Sequence, residues 1–291
     1  MTSDLITLEI LINRFQAIVD EMAQALFRTA YTVFIKETQD YGTVLVSPDG
    51  EVFAASRRYG VLMMIGHPMA EAIRSMGTDV RPGDVFITND PFATRGMATH
   101  LNDIYLWSPV FHENTLICYV WTFIHMSDVG GRVAGSIAPS NTEITQEGIR
   151  VPPRRLYREG ILDEDFLKLF LINTRTGEEN WGDMKACLAA LSTGERRIAQ
   201  VIKRYGVTAF SESITNSLDY AEQQSRRLIS TVPDGTYTYS DYIEGDAVGL
   251  GLLRIKLSLK VNAGTFLMDF AGTAPQVRAA LNLPSHSQDG H

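Results

Sequence analysis

The chain has 291 residues, 45% of them hydrophobic and 21% charged, with a formal net charge of −8. That is the profile of a water-soluble globular protein, long enough for one large domain or two modest ones. An acidic chain without a basic stripe is a poor partner for nucleic acid, and two cysteines in apolar surroundings, Cys118 and Cys187, imply no disulfide framework and suit a reducing cytoplasm.

The start, Met1-Thr2-Ser3-Asp4, lacks a basic region followed by an apolar core, so no secretory leader is expected. No apolar run approaches the ~20 residues of a membrane span, so no membrane association is expected either. Leu8, Leu11, Ile12, Phe15, Ile18, Val19, Met22, Leu26 and Ala30 recur at steps of three and four. They predict one helix with a single buried stripe, ending near Ile35 where Lys36-Glu37-Thr38-Gln39-Asp40 turns polar. Strands are expected at Thr43–Val46 and Glu51–Ala55, joined by Ser47-Pro48-Asp49-Gly50, in which Pro and Asp-Gly supply hairpin dihedrals. A helix at His67–Met76 is closed by Gly77. Arg81-Pro82-Gly83-Asp84 makes a turn into a strand at Val85–Thr88, and residues 89–99 read as loop. Ile104–Phe111 and Leu116–Ile124, rich in β-branched and aromatic residues, bracket His112-Glu113-Asn114-Thr115 as a β-hairpin. Asp128–Gly148 is a long loop rich in Gly, Ser, Asn and Thr, the kind that in a compact domain carries function or stays loose. Helical patterns return at Asp163–Ile172, Gly182–Arg204 and Thr208–Ser230. After Pro233-Asp234-Gly235 the period changes to two, with strands at Thr236–Ile243, Leu252–Val261 and Thr265–Phe270. Strands, then helices, then strands predict an α+β chain with mixed sheets and a helical middle segment. One domain is expected over residues 1–284, followed by a frayed tail at 285–291.

Of six histidines, His286 and His291 fall in that tail, His112 in the turn, and His67 at a helix start where a structural role suffices. His100 and His125 remain. Each begins a His-x-x-Asp pattern, with Asp103 and Asp128, at the two open ends of one hairpin. With Glu113 and Asn114 at the centre of the turn, pairing sets His125 opposite Asn102, within a residue of Asp103 and near His100. Neighbouring strands are about 4.8 Å apart, so these side chains can converge, although a slip of one residue would turn His125 to the other side of the sheet. Two imidazoles and a carboxylate suit a divalent ion, zinc first, manganese or iron next. Asp128 is a candidate hydrogen-bond partner of the ligands or a general base. Asp128-Val129-Gly130-Gly131-Arg132 could offer N–H groups to an anion or simply be a flexible loop. There is no phosphate-binding Gly-x-x-x-x-Gly-Lys-Ser/Thr and no Gly-x-Ser-x-Gly elbow.

Seven stretches then occur in a familiar order: Lys36–Asp40, Gly83–Phe92, Thr99–Ile104, His125–Gly131, Gln146–Pro153, Asn173-Thr174-Arg175 and Asp269–Gln276. On them the chain resembles the hydantoinase B/oxoprolinase family over nearly its whole length. The family takes in N-methylhydantoinases, 5-oxoprolinases, caprolactamase, and acetone and acetophenone carboxylases. The resemblance implies a metal-binding subunit of a cytoplasmic, ATP-dependent hetero-oligomer. Its partner would be a hydantoinase A-type subunit that handles ATP and magnesium and phosphorylates a cyclic amide or ketone. It also implies four metal ligands: Asp40, His100, Asp103 and His125. Hydrolysis of a hydantoin, lactam or 5-oxoproline is the leading expectation; ketone carboxylation, or a structural subunit with a stabilising metal, are the alternatives. The chain departs from the pattern at Phe92–Ala98, where relatives are rich in glycine, and it stops soon after Gln276 although family members are considerably longer.

Overall fold

The structure, a computed structural model, describes residues 5–60, 69–245 and 248–283. The expected tail at 285–291 and the start of the expected 67–76 helix lie outside the described residues. Six helices are described: α1 (Leu5–Thr29), α2 (Val33–Lys36), α3 (Met69–Ser75), α4 (Glu164–Ile172), α5 (Gly177–Tyr205) and α6 (Val207–Ile229). A seven-stranded antiparallel sheet has the order β2-β1-β5-β4-β3-β6-β7. Its strands are β1 (Tyr41–Val46), β2 (Val52–Ala55), β3 (Val85–Thr88), β4 (Asp103–His112), β5 (Thr115–His125), β6 (Arg154–Arg158) and β7 (Ile161–Leu162). Strands β8 (Gly235–Glu244), β9 (Leu252–Asn262) and β10 (Thr265–Asp269) form a separate three-stranded sheet, β10-β9-β8. The α+β expectation therefore holds.

The long helix expected to run to Ile35 is interrupted. The Tyr31 and Thr32 N–H groups donate to Asp183 Oδ1 at 2.7 and 3.4 Å, and the Thr32 hydroxyl donates to Asp183 Oδ2 at 2.6 Å. A fully buried carboxylate from α5 thus offers these groups a better acceptor than another helical turn, and α2 restarts beyond it. The apolar stripe of α1 still does what its spacing predicts: Leu11, Phe15, Val19, Met22 and Leu26 are buried against α5 and one side of the large sheet. Gly194 permits that approach, since a β-carbon there would stand 2.7 Å from both Met22 Sδ and Val120 Cγ1. The opposite side of the sheet holds an aromatic layer, Phe86, Tyr105, Trp107, Tyr119, Trp121 and Phe123, packed with Met69 and Ala72 of α3 and with Met97 and Ala98. Trp107 and Trp121 lie opposite each other in register and stack at 4.4 Å.

The central hairpin differs from its expected pairing in one respect. At the tip His112 pairs with Thr115 and Phe111 with Leu116, as the turn predicts, but Val110 then pairs with Cys118. Ile117 is the extra residue of a bulge. It and its neighbour Cys118 both join the core on the helical side. From there to the open end every pair is offset by one, and His125 faces Asp103 rather than Asn102.

Candidate metal centre

The offset decides where His125 points. Side chains alternate sides along a strand, so residues directly opposite share a side. Asp103, at the first position of β4, and His125, at the last of β5, therefore emerge together on the aromatic side of the sheet. Strand β1 extends the row: Tyr41 pairs with Ile124, and the His125 N–H donates to the Asp40 carbonyl at 3.0 Å, so Asp40 lies beside His125 just before β1 begins. A hydrogen bond from the Asp40 N–H to the Phe34 carbonyl ties it to α2. Asp103, His125 and Asp40 thus form one row across three neighbouring strands. His100 comes over this row from the preceding turn, which is closed by a bond from the Asp103 N–H to the His100 carbonyl at 3.3 Å.

The heteroatoms converge. His100 Nε2 lies 3.1 Å from His125 Nδ1 and 3.1 Å from Asp103 Oδ1, and His125 Nδ1 lies 3.2 Å from the same oxygen. Asp40 Oδ2 is 3.7 Å from His125 Nδ1. Donors held tetrahedrally at ~2.0–2.1 Å from one zinc stand about 3.3 Å apart, so the spacing and chemistry of this set fit a divalent ion. Among the described residues, His100, Asp103 and His125 are the grouping with this property, their ligating atoms all within 4.8 Å of one another. Asp103 and His125 are buried; His100 and Asp40 are open on one side, with side chains 31% and 33% exposed, so a substrate could approach from there. The Thr99 hydroxyl sits 3.2 Å from His100 Nδ1 and 3.4 Å from Asp103 Oδ2, and Phe34 packs on the His125 ring. These contacts fix the orientation of the two rings from behind.

Burial disfavours charge on Asp103, His100 and Asp40, and the neighbours decide the outcome. For Asp103, burial acts upward, but hydrogen bonds from His100 and His125 prevail and hold the carboxyl below its ordinary range. For His100, burial acts downward, but the bond to Asp103 and the charges of Asp103, Glu147 and Asp40 leave it raised. Burial pushes Asp40 up, reinforced by Asp103 and opposed by His125 and His100. The cluster is an excess of negative charge in a partly dry place, which a bound cation would offset.

Asp128 is not brought into this cluster. Its carboxylate accepts from the N–H groups of Gly130, Gly135 and Arg175 and from the Arg175 guanidinium, at 2.8–3.0 Å, while the Asn180 amide donates to its carbonyl. Burial acts upward on it, and the bonds from Arg175, Gly130 and Gly135 more than reverse this, leaving it below the usual carboxylate range. A carboxylate so fully engaged is a weak proton acceptor. Its visible work is to tie the 128–148 loop to the segment leading into α5. The same bonds occupy the loop's N–H groups: Gly130 donates to Asp128 and Arg132 to the Gln146 carbonyl. The possible anion nest is in fact an internal knot. Sequence spacing also passed over Glu147, whose carboxylate accepts from the Leu101 N–H at 3.2 Å, inside the His100–Asp103 turn. Its motif was visible, but nothing in its spacing joined it to the histidines.

Known proteins resemble this chain in sequence and in fold. The hydantoinase B/oxoprolinase family model matches residues 4–289. An uncharacterised protein of Methanocaldococcus jannaschii is 33% identical over 283 residues, which cover 96% of this chain and 49% of that protein. Caprolactamase subunit beta of Pseudomonas jessenii is 30% identical over 89% of this chain and 44% of its own. The crystal structure of the ATP-dependent caprolactamase from the same organism superposes with a TM-score of 0.85 at 29% identity, covering 96% of this chain and 48% of that one. A nucleotide-free acetone carboxylase structure shares the fold, with a TM-score of 0.88 at 19% identity over 97% of this chain and 39% of its own. The chain thus spans about half the length of these two relatives.

Proposed function

The chain belongs to the hydantoinase B/oxoprolinase family, and on that premise we propose that it is the metal-binding part of an ATP-dependent cyclic amide hydrolase. Asp40, His100, Asp103 and His125 hold one divalent ion, zinc first, with manganese or iron next. A hydantoinase A-type subunit binds ATP and magnesium and delivers a phosphorylated hydantoin, lactam or 5-oxoproline. The observation that carries this reading is the meeting of two imidazole nitrogens and a buried carboxylate oxygen within 3.1–3.2 Å at one end of the hairpin. When bound, the ion would supply Lewis-acid polarisation of a carbonyl or phosphoryl oxygen. The protein's own part is orientation. Thr99 fixes the His100 ring from behind, Phe34 packs on the His125 ring, and the exposed sides of His100 and Asp40 leave an approach for the substrate.

Metal content is the direct test. The purified protein should carry about one divalent ion per chain, and His100→Ala should lose it, because a site rarely recovers from loss of an imidazole ligand. Full occupancy in that variant, read by elemental analysis, eliminates the site. Activity is then tested with the A-type subunit co-expressed, screening hydantoin, 5-oxoproline, caprolactam and acetone for stimulated ATP consumption. Stimulation by acetone alone would favour ketone carboxylation. A His100→Ala complex that has lost metal but kept its turnover would reduce the ion to a structural role.

A further inference from the structure

Glu147 reaches the metal centre from a segment that holds no ligand. It follows a short 3-10 turn, Ile144–Gln146, where two stretches of the long loop cross. The Arg132 N–H donates to the Gln146 carbonyl at 2.8 Å and the Ile149 N–H to the Val129 carbonyl at 2.9 Å. The crossing is too tight for side chains: a β-carbon on Gly131 would stand 2.5 Å from the Glu147 carbonyl carbon, and one on Gly148 would stand 2.2 Å from the Val129 oxygen. The Arg175 guanidinium closes the loop from outside by donating to the carbonyls of Gly130, Gly131 and Val133 and to Asp128. The Asn89 amide clamps the far side, donating to the Leu101 and Ile149 carbonyls while its oxygen accepts from the Val151 N–H. Glu147 therefore stands on a rigid backbone. From there Oε2 accepts the Leu101 N–H at 3.2 Å, at the residue directly after His100. The Asn89 amide meanwhile holds the carbonyl of the same residue.

We propose that Glu147 is a positioning residue of the metal centre: by accepting the Leu101 N–H it fixes the turn that aims His100 and Asp103 at a common point. The inference deepens the metal reading and rests on it. Two carboxylates then act on the His100 segment in different ways. Asp103 touches the imidazole, whereas Glu147 holds the backbone from which the imidazole springs. Positioning groups of this kind contribute roughly 10–100-fold to metal affinity.

The test loads the wild-type chain, Glu147→Ala and Glu147→Gln with Co²⁺, reading affinity by competition with a chelator and geometry from the visible absorption spectrum. Glu147→Ala should bind Co²⁺ about 10–100-fold more weakly with an altered spectrum. Glu147→Gln should match the wild type, because its amide oxygen accepts the same Leu101 N–H. A wild-type chain that binds no Co²⁺ overturns this inference together with the metal reading. A wild type that binds, with Glu147→Ala equal in affinity and spectrum, overturns the inference alone. A glutamine variant as impaired as the alanine variant also overturns it, since charge rather than the backbone bond would then be what matters.

Discussion

Aromatic residues occur along strands of both sheets, yet they meet opposite fates. In the seven-stranded sheet Tyr105, Trp107, Trp121 and Phe123 are essentially inaccessible, whereas in the three-stranded sheet Tyr237, Tyr239 and Tyr242 are 44%, 71% and 54% exposed. All ten residues of β8 are exposed, and β10 is exposed along most of its length. Period-two patterning makes strands in both places; what covers them differs. The large sheet is packed by α1 and α5 on one side and by α3 with the 90–99 segment on the other, while the small sheet meets mainly α6, along β10. A site that needs donors held to tenths of an ångström sits on the sheet whose strands are locked from both sides. The small sheet, exposed along all of β8 and most of β10, leaves apolar side chains such as Leu252, Phe266 and Leu267 in solvent.

The largest effect that would sharpen this contrast is on the aromatic layer. Trp121→Ala should destabilise the fold by about 3–5 kcal/mol, from lost burial and the cavity left under Trp107, read as a lowered urea midpoint at unchanged slope. Trp121→Phe should recover much of that, because neither buried indole N–H has an acceptor among the described residues. A loss under about 1 kcal/mol for the alanine variant would mean the layer is not tightly packed. Next in size is Asp128→Asn. Because the folded carboxyl lies below its unfolded value, Asp128 adds stability above the unfolded value of 3.8 and loses it as pH falls through the folded one. The variant should therefore be weaker at neutral pH by about 1.5–3 kcal/mol, with the gap closing below the ordinary carboxylate range. A gap that persists unchanged to strong acid would contradict the assignment. The smallest effect belongs to the small sheet: Tyr239→Ser should alter stability by no more than about 0.5 kcal/mol. A larger loss would show that this surface is covered in solution and would break the comparison.

Much of the large sheet was legible because its strands are short, β-branched and bounded by turn residues; Val85–Thr88 is found where the sequence places it. Strands β6 and β7 were not. Arg154-Arg155-Leu156-Tyr157-Arg158 buries only Leu156, so it carries no apolar alternation to read. The break after α1 was invisible because its cause, Asp183, lies some 150 residues away. The meeting of His100, Asp103 and His125 could be read from the hairpin, but only to within one residue of register, and Ile117 looks like any other β-branched strand residue. Asp40 entered through the family resemblance alone; β1, laid beside β5, puts it next to His125.

Ile117 also makes the hairpin sensitive to parity. It lies eight residues before His125, roughly 27 Å along β5 at about 3.4 Å per residue, yet it settles which side of the sheet that histidine occupies. Were the bulge flattened with Ile117 opposite Val110, His125 would face Asn102 and turn into the helical layer, whereas deleting Ile117 would close the bulge and keep Val110 opposite Cys118 and Asp103 opposite His125. Mutational scans that count only proximity would miss it. A change at the far end of the hairpin can thus reach the candidate metal centre through register alone, without touching it.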